Sequence, residues 1–228
     1  MKRTKLDDRT LPAYSRGEEI FNMVSHIVGA GLSVIGLVIA IVVSAMHGNG
    51  FGIVSSIIYG LTLIELYTMS AIYHGLHLTT PKLVRGKKVL RIIDHCSIYV
   101  LIAGSYTPYA LCTFREFDPA FGWSLFAIIW LLAAIGVTFD AIDLDKFKAP
   151  SKVIYFLMGW FIIIRANVLP ELLTWPGTIL LVLGGVVYSV GTIFFAIGTR
   201  VKWMHSIFHI FIVVASILQF LSIVGYVL

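Results

Sequence analysis

The chain has 228 residues, of which 58% are hydrophobic and 13% are charged, and its formal net charge is +5. Soluble domains carry about 25% charged residues, so this composition excludes an ordinary soluble domain and indicates a chain that lies in a membrane. The charges collect in short gaps between apolar runs, and each run is near the ~20 residues that a helix needs to cross a bilayer.

Seven apolar runs follow one another along the chain. They cover residues 27–46, 51–73, 92–114, 121–139, 153–169, 178–197 and 207–228. The hydrocarbon core offers no water to backbone amides, so each run is expected to form an α-helix. The sequence therefore predicts an all-α bundle of seven transmembrane helices in one domain, residues 25–228, after a polar leader of residues 1–24. The fifth run is the weakest, since it is the shortest and carries Arg165 near its end, and Pro108 is expected to kink the third helix.

Lysine and arginine are distributed unevenly between the two sides of the predicted bundle. Fifteen of the seventeen lie in the leader and in the second, fourth and sixth loops, Lys2 and Lys82 among them, and only Arg115 and Arg165 fall on the other side. The positive-inside rule then predicts a cytoplasmic N-terminus and an extracytoplasmic C-terminus. The basic charge is thus interpreted as a topology signal, with attraction to anionic lipid headgroups as a further use, and not as a nucleic-acid-binding surface.

Titratable residues collect where four predicted helices meet the cytoplasmic side. They are His205 and His209 at the start of the seventh helix, Ser70 and His74 at the end of the second, Asp94 and His95 at the start of the third, and Glu19, Asn22, Ser25 and His26 before the first. Residues four apart in a helix share a face, as His205 and His209 do. Ionisable groups in membrane helices face the bundle interior, so these side chains are expected to converge.

Three imidazoles from two helices, His74, His205 and His209, would suit a catalytic zinc ion. Such a site keeps a fourth position open for water, whose pKa zinc lowers to about 7. Asp94 could orient that water or take its proton, and Ser70 could donate a hydrogen bond to it or to a substrate oxygen.

Other polar residues near this region have simpler interpretations. Glu19, Asn22 and His26 fit two alternatives equally: a helix start, where acids are favoured by the helix dipole, or a set of groups that supports the metal ligands. His47 and His77 are interpreted as interfacial residues.

His95 is left outside the ligand set, because it points about 100° away from Asp94. Asp140, Asp143 and Asp145 are expected in a solvated loop. Glu65 lies inside the second helix and is expected to be neutral, paired or in a polar cavity, with no partner identified.

Four segments in order, "EEIFNMVSH", "SAIYH", "DHCSIYVLIAGSYTP" and "HSIFH", resemble those of bacterial hemolysin III proteins. These belong to the progestin and adipoQ receptor family, within a wider group that includes alkaline ceramidases, and the resemblance covers residues 18–228. It implies a seven-helix bundle in the bacterial inner membrane with zinc near the cytoplasmic side. The implied ligands are His74, His205 and His209, with Asp94 holding the water at the metal and Ser70 beside it. Ser25 stands where a threonine is common in the family, and Glu65 where an apolar residue is expected.

Three functions follow from these residues. The first is a zinc-dependent intramembrane hydrolase of a lipid-like amide or ester, which acts in membrane lipid homeostasis and has membrane lipids or a lipid-like substrate as its partner. The alternative is a non-enzymatic, receptor-like or membrane-homeostasis protein in which zinc is structural. The third is a pore-forming cytolysin, against which the sequence argues, because seven long apolar runs would aggregate outside a bilayer.

Overall fold

The structure is a computed structural model that describes residues 3–79 and 83–228, without the side chains of residues 77–79. Lys2, Lys82 and the side chain of His77 therefore lie outside the described residues. The described part forms seven α-helices and no strand, which confirms the all-α prediction. The helices are α1 (Arg16–Met46), α2 (Gly50–Thr79), α3 (Val84–Pro108), α4 (Pro119–Asp143), α5 (Lys148–Gly159), α6 (Leu169–Ile197) and α7 (Met204–Tyr226). Six of these segments, all except α5, are long and apolar enough to cross a bilayer, so the chain is a multi-pass membrane protein.

Helix α1 begins well inside the predicted polar leader. Ser15 and Glu18 form a capping box, in which each side chain bonds to the backbone N–H of the other residue. This arrangement satisfies two of the N–H groups that have no partner within the helix. Glu19 and Asn22 consequently lie on the first turns of α1 and face the bundle.

Helix α3 begins at Val84, earlier than the apolar run that predicted it. Lys87 and Arg91, which the sequence placed in a loop, are therefore helical and buried. The helix changes at Pro108 into a π-helical stretch, Tyr109–Phe114, before the chain reaches α4. Proline has no N–H to donate and its ring crowds the preceding turn, which explains the altered hydrogen bonding at the predicted kink.

The fifth segment is broken. Helix α5 has 12 residues and ends at Gly159, and a 3₁₀-helix of 5 residues, Phe161–Arg165, follows it. Helix α6 also starts irregularly, because Thr174 has a φ of 59° just before Pro176. Helices α6 and α7 pack closely, and α5 packs on α3 and α4 but makes only sparse backbone contact with α6.

Helices α1, α2 and α3 form the most closely packed side of the bundle. Gly29 of α1 faces Tyr67 of α2 so closely that a Cβ there would lie 2.6 Å from the tyrosine ring. Small residues such as glycine allow this close approach between membrane helices. We call the end of the bundle where α1, α3 and α7 begin the histidine end, and the opposite end the far end.

The segment Arg3–Ser15, which we call the covering segment, lies across the histidine end and is attached to it by hydrogen bonds. The backbone N–H of Thr4 donates to Asp143 Oδ2 over 2.7 Å, and Arg9 NH2 donates to the carbonyl of Ile142 over 2.8 Å. From α3, Lys88 donates to the carbonyl of Asp7 over 2.6 Å. The segment thereby carries Tyr14 to the centre of this end.

The expectation that the three acids after α4 form a solvated loop is wrong for Asp140 and Asp143, which are both 0% exposed. Asp140 accepts hydrogen bonds from the hydroxyls of Ser151 and Tyr155, and Asp143 accepts from Thr4. The covering segment and α5 supply these partners, and neither contact is visible from local composition. Asp145 remains partly exposed and pairs with Arg91 at 3.2 Å.

Candidate metal centre

The structure brings together the three histidines that the sequence selected as metal ligands. His74 lies near the end of α2, and His205 and His209 lie one turn apart at the start of α7. Each has a ring nitrogen within 4.8 Å of those of the other two. They are 0%, 5% and 1% exposed, so the cluster is closed off from bulk water. This group could hold a metal ion.

The nitrogen atoms fit such an ion. The Nε2 atoms of His205 and His209 are 3.2 Å apart, and two nitrogens bound tetrahedrally to one zinc are separated by about 3.3 Å. His74 Nε2 is buried without a hydrogen-bond partner among the described residues. A buried imidazole nitrogen rarely lacks a partner, so a cation shared by the three rings would account for both observations.

A carboxylate fixes the orientation of His74. Glu19 Oε2 of α1 lies 2.6 Å from His74 Nδ1, and its other oxygen, Oε1, accepts from Lys87 Nζ of α3 over 2.6 Å. With Nδ1–H donating to the carboxylate, the lone pair of Nε2 is free to bind a metal ion. Residues from α1, α2 and α3 are thus joined in one buried chain, of which the sequence suggested only Glu19 and His74.

His209 packs against α1. The ring of His26 stacks on it with centroids 3.7 Å apart. Ser25 Oγ, which donates to the carbonyl of Asn22, lies 3.5 Å from His209 Nδ1. The side-chain polar atoms of Asn22 and both ring nitrogens of His26 have no hydrogen-bond partner within the described chain. Of Glu19, Asn22 and His26, therefore, only Glu19 forms a side-chain hydrogen bond to one of the three histidines within the described chain.

Asp94 and Ser70 lie beside the histidines at the wall of an internal cavity. The cavity has a volume of about 150 Å³, and Ser70, Asp94, His205 and His209 are among its lining residues. The rest of the lining is mostly apolar and comes from α2, α3, α5, α6 and α7, with Leu101, Phe156 and Leu181 among it. A long apolar chain could lie there with a polar group next to the histidines.

Tyr14 is a neighbour of the cluster that the sequence did not single out. Its ring stacks on His205 with centroids 4.8 Å apart and an interplanar angle of 15°. Burial raises the pKa of the Tyr14 phenol above its usual value, so the hydroxyl stays protonated. Tyr14 belongs to an irregular segment with no helical periodicity, so no local signal indicated its position.

Lys87 was also missed, although a signal for it exists. Lys87, Arg91 and Asp94 are spaced by four and three residues, which places them on one face of a helix. The spacing carries this meaning only if α3 is extended back to Val84, which the apolar run alone did not suggest.

The remaining polar residues considered as ligands or partners lie outside the metal group. His95 Nδ1 bonds to the carbonyl of Arg91 over 2.9 Å. His47 bonds to the carbonyl of Leu228 at the far end. Glu65 Oε2 is buried without a hydrogen-bond partner in the part of the chain that the structure describes, and nothing in its surroundings explains the carboxyl.

Comparison with known proteins identifies the family of the chain. The sequence model of the haemolysin-III related family matches residues 14–220. The chain is 40% identical over 211 residues to Hemolysin-3 of Bacillus cereus, covering 92% of both chains. It is 38% identical over 209 residues to a Hemolysin-3 homolog of Bacillus subtilis (strain 168), covering 92% of this chain and 94% of the homolog. The human Monocyte to macrophage differentiation factor is 29% identical over 177 residues, which is 74% of this chain and 68% of that protein. The chain therefore belongs to the haemolysin-III related family.

Proposed function

We propose that the chain crosses the bacterial inner membrane seven times, with the histidine end and the N-terminus in the cytoplasm and the C-terminus outside. The distribution of lysine and arginine supports this orientation. The 12 residues of α5 and the 5 of the following 3₁₀-helix span about 18 Å and about 10 Å, close to the ~30 Å of a bilayer core. Arg165, at the end of this segment, pairs with Asp118 at 3.2 Å. Because Asp118 directly precedes α4 at the far end of the bundle, this contact supports a fifth crossing from the histidine end to the far end.

We propose that the metal at the three histidines is zinc. The donor set consists of imidazole nitrogens without a thiolate, which suits zinc and leaves room for a fourth ligand. A site shielded from bulk water, with the orientation of His74 fixed by Glu19, favours a tightly held ion.

We propose that the protein is a zinc-dependent hydrolase of a lipid-like amide or ester. The observation that carries this proposal is the position of Asp94 and Ser70, at the wall of the cavity that reaches the histidines. When bound, zinc would polarise a carbonyl oxygen and lower the pKa of a water molecule to about 7. Asp94 would hold and orient that water and accept its proton, and the Ser70 hydroxyl would donate to a substrate oxygen. The apolar cavity wall would hold the chain of the substrate and exclude bulk water.

The test compares zinc content and turnover in purified protein. Asp94→Asn should retain zinc and lose at least about 100-fold in turnover of a fluorogenic lipid amide or ester, because general acid–base groups contribute about 10²–10⁴. Glu65→Gln is the matched control, since it also converts a buried carboxyl to an amide on a membrane helix, and it should keep both properties. Wild-type protein that binds zinc but hydrolyses neither substrate class would refute the hydrolase.

A second candidate function, a structural metal in a non-enzymatic protein, is favoured by one observation. The metal group joins α2 to α7, and the contacts of Glu19 extend the connection to α1 and α3. An ion there would brace four helices. Chelation should lower thermal stability under either function. If the metal is structural only, Asp94→Asn should leave the function of the protein in the cell unchanged.

A further inference from the structure

A second, smaller cavity lies at the histidine end, next to the large cavity of about 150 Å³. Its volume is about 20 Å³. About 10–15 Å³ is enough for one water molecule, so the small cavity has room for a water molecule or for an oxygen atom of a bound group. Four residues line both cavities: Asp94, His95, Phe195 and His205. The small cavity therefore reaches the candidate metal centre, to which His205 belongs.

The small cavity differs from the large one in the charge of its walls. Arg91 of α3 and Lys148 of α5 line the small cavity, whereas no lysine or arginine of the described ranges lines the large one. Asp94 is the acid that both cavities share, so the described walls of the small cavity have two cations against one carboxylate. A metal ion at the histidines would add further positive charge. These walls favour a negatively charged group.

Two buried donors on these walls have no hydrogen-bond partner within the described chain. They are the hydroxyl of Tyr73, a residue that is 2% exposed, and Nε of Arg91, a residue that is 6% exposed. Nη1 of Arg91 donates to the carbonyl of Thr10 over 3.0 Å and to Asp145 over 3.2 Å, and these contacts fix the guanidinium in place. Buried donors normally have a partner, and the adjoining cavity has room for one.

The lack of a partner alone does not identify a site. The hydroxyl of Tyr59 and two nitrogen atoms of Arg9 are also buried without a partner among the described residues, but these residues line neither cavity. Tyr73 and Arg91 differ because a cavity adjoins them. A water molecule there would satisfy both donors, but a negatively charged group would form stronger hydrogen bonds and would also be attracted by Lys148.

The two cavities meet at the metal centre, so a lipid bound there would place its acyl chain in one cavity and its polar group in the other. The large cavity is lined mostly by apolar residues and suits the chain. Arginine and tyrosine donors bond most strongly to anionic oxygens. A carboxylate has fewer oxygen atoms than a phosphate, so the small volume of the second cavity favours the carboxylate.

We propose that Tyr73, Arg91 and Lys148 bind the carboxylate of an N-acylated α-amino acid in the small cavity, with its acyl chain in the large cavity. In such a lipid the carboxylate lies next to the amide, as the adjoining cavities require. The position of the amide at the metal centre rests on the proposed function, whereas the binding itself needs no turnover.

The test measures the binding of matched lipids to the purified, zinc-loaded full-length protein by native mass spectrometry. N-oleoylglycine and N-oleoylethanolamine share the acyl chain and the amide, and they differ in a terminal carboxylate against a terminal hydroxyl. The method identifies each bound lipid by its mass, so intact lipid is counted whether or not hydrolysis occurs. A third probe, the phosphate ester of N-oleoylethanolamine, provides the alternative anion.

The site variant combines Tyr73→Phe with Lys148→Gln. The control variant combines Tyr59→Phe with Lys146→Gln, which also removes a buried hydroxyl and one positive charge, at residues that line neither cavity. Arg91→Gln is tested alone, because Arg91 also binds the covering segment.

Wild type should bind N-oleoylglycine at least about tenfold more tightly than N-oleoylethanolamine, because charge-assisted hydrogen bonds are roughly twice as strong as neutral ones. The site variant should lose at least about tenfold for N-oleoylglycine and stay within about twofold for N-oleoylethanolamine. The control variant should stay within about twofold of wild type for both lipids. Arg91→Gln should repeat the selective loss, and if this variant does not fold, the site variant decides the test.

Equal binding of the two lipids by wild type, or equal losses for both in the site variant, would overturn the proposal and leave the small cavity to a water molecule. Tighter binding of the phosphate ester than of N-oleoylglycine would contradict the carboxylate assignment. The hydrolase can fail separately: a preference for N-oleoylglycine without turnover of any lipid amide or ester would refute the enzyme and leave this binding site standing.

Discussion

The two sides of the bundle are built differently. On the side of α1, α2, α3 and α7, the three histidines are buried and the orientation of His74 is fixed by Glu19, which Lys87 also contacts. On the side of α5 and α6, one helix ends after 12 residues, the two helices make few close backbone contacts, and both line the cavity together with α2, α3 and α7. A closely packed side that could hold an ion thus faces a more loosely packed side that could admit a chain, and we call them the rigid side and the adaptable side. Substitutions on the first side should affect the metal, and substitutions on the second should affect what enters the cavity.

The largest effect on the rigid side is expected from His209→Ala, which removes one ligand nitrogen. The purified variant should lose stoichiometric metal, measured by inductively coupled plasma mass spectrometry, because two imidazoles alone hold zinc weakly. His47→Ala, the same change at the far end, should leave the metal content unchanged. Full metal occupancy in His209→Ala would remove this residue from the site.

Lys87→Met should come next in magnitude. It leaves the buried Glu19 carboxylate without its cation, and breaking a buried pair costs about 3–5 kcal/mol of stability. Metal affinity, measured by competition with a chelator, should fall by about 10–100-fold, because the groups that orient metal ligands typically contribute that much.

Two further variants test whether the role of Lys87 is specific. Lys88→Met, one residue along and bonded only to a backbone carbonyl of the covering segment, should change little. Lys87→Arg should restore part of the metal affinity. Equal affinity in Lys87→Met and wild type would show that Glu19 orients His74 without help from α3.

On the adaptable side, Gly185→Leu should reduce the space in the cavity without disturbing the metal. Gly185 lines the cavity, and a Cβ there would lie 3.6 Å from the ring of Trp160. Metal content should stay within about twofold of wild type, while hydrolysis of long-chain substrates should fall more than that of short-chain substrates. Gly31→Leu, at a helical glycine with open space around it, is the control. Loss of metal in Gly185→Leu would mean that the two sides are not independent.

The smallest effect is expected for Tyr14. Tyr14→Ala removes a ring stacked on His205, and such contacts contribute about 0.5–1.5 kcal/mol, so metal affinity should fall by a few-fold. Tyr14→Phe keeps the stacking and should match wild type in the same chelator competition. A larger effect of the Phe variant would assign a role to the hydroxyl.

The sequence predicted the parts of the molecule that depend on helical periodicity. His205 and His209 share a face because they are four residues apart. His74 and Asp94 were placed near them because the second predicted helix ends, and the third begins, on the same side of the membrane, and the resemblance implied the same residues. The all-α class followed from the apolar runs. The prediction of a fifth run as the weakest helix has its counterpart in the break after Gly159.

What the sequence did not predict depends on contacts between distant segments. Asp140 and Asp143 looked like loop residues, and their burial depends on α5 and on the segment that begins at Arg3. The position of Tyr14 follows from the same segment, whose path is set by hydrogen bonds to α3 and α4. Lys87 was not predicted as a site residue because the apolar run begins at residue 92, whereas α3 begins at Val84.

X-ray absorption spectroscopy at the zinc edge, on protein purified without added metal, tests the central claim most directly. The account predicts one zinc per chain, with three imidazole nitrogens and one further light atom at about 2.0 Å. A spectrum with sulfur ligands, a shell of six oxygens, or no zinc at stoichiometric amounts would contradict the claim that His74, His205 and His209 share a metal ion.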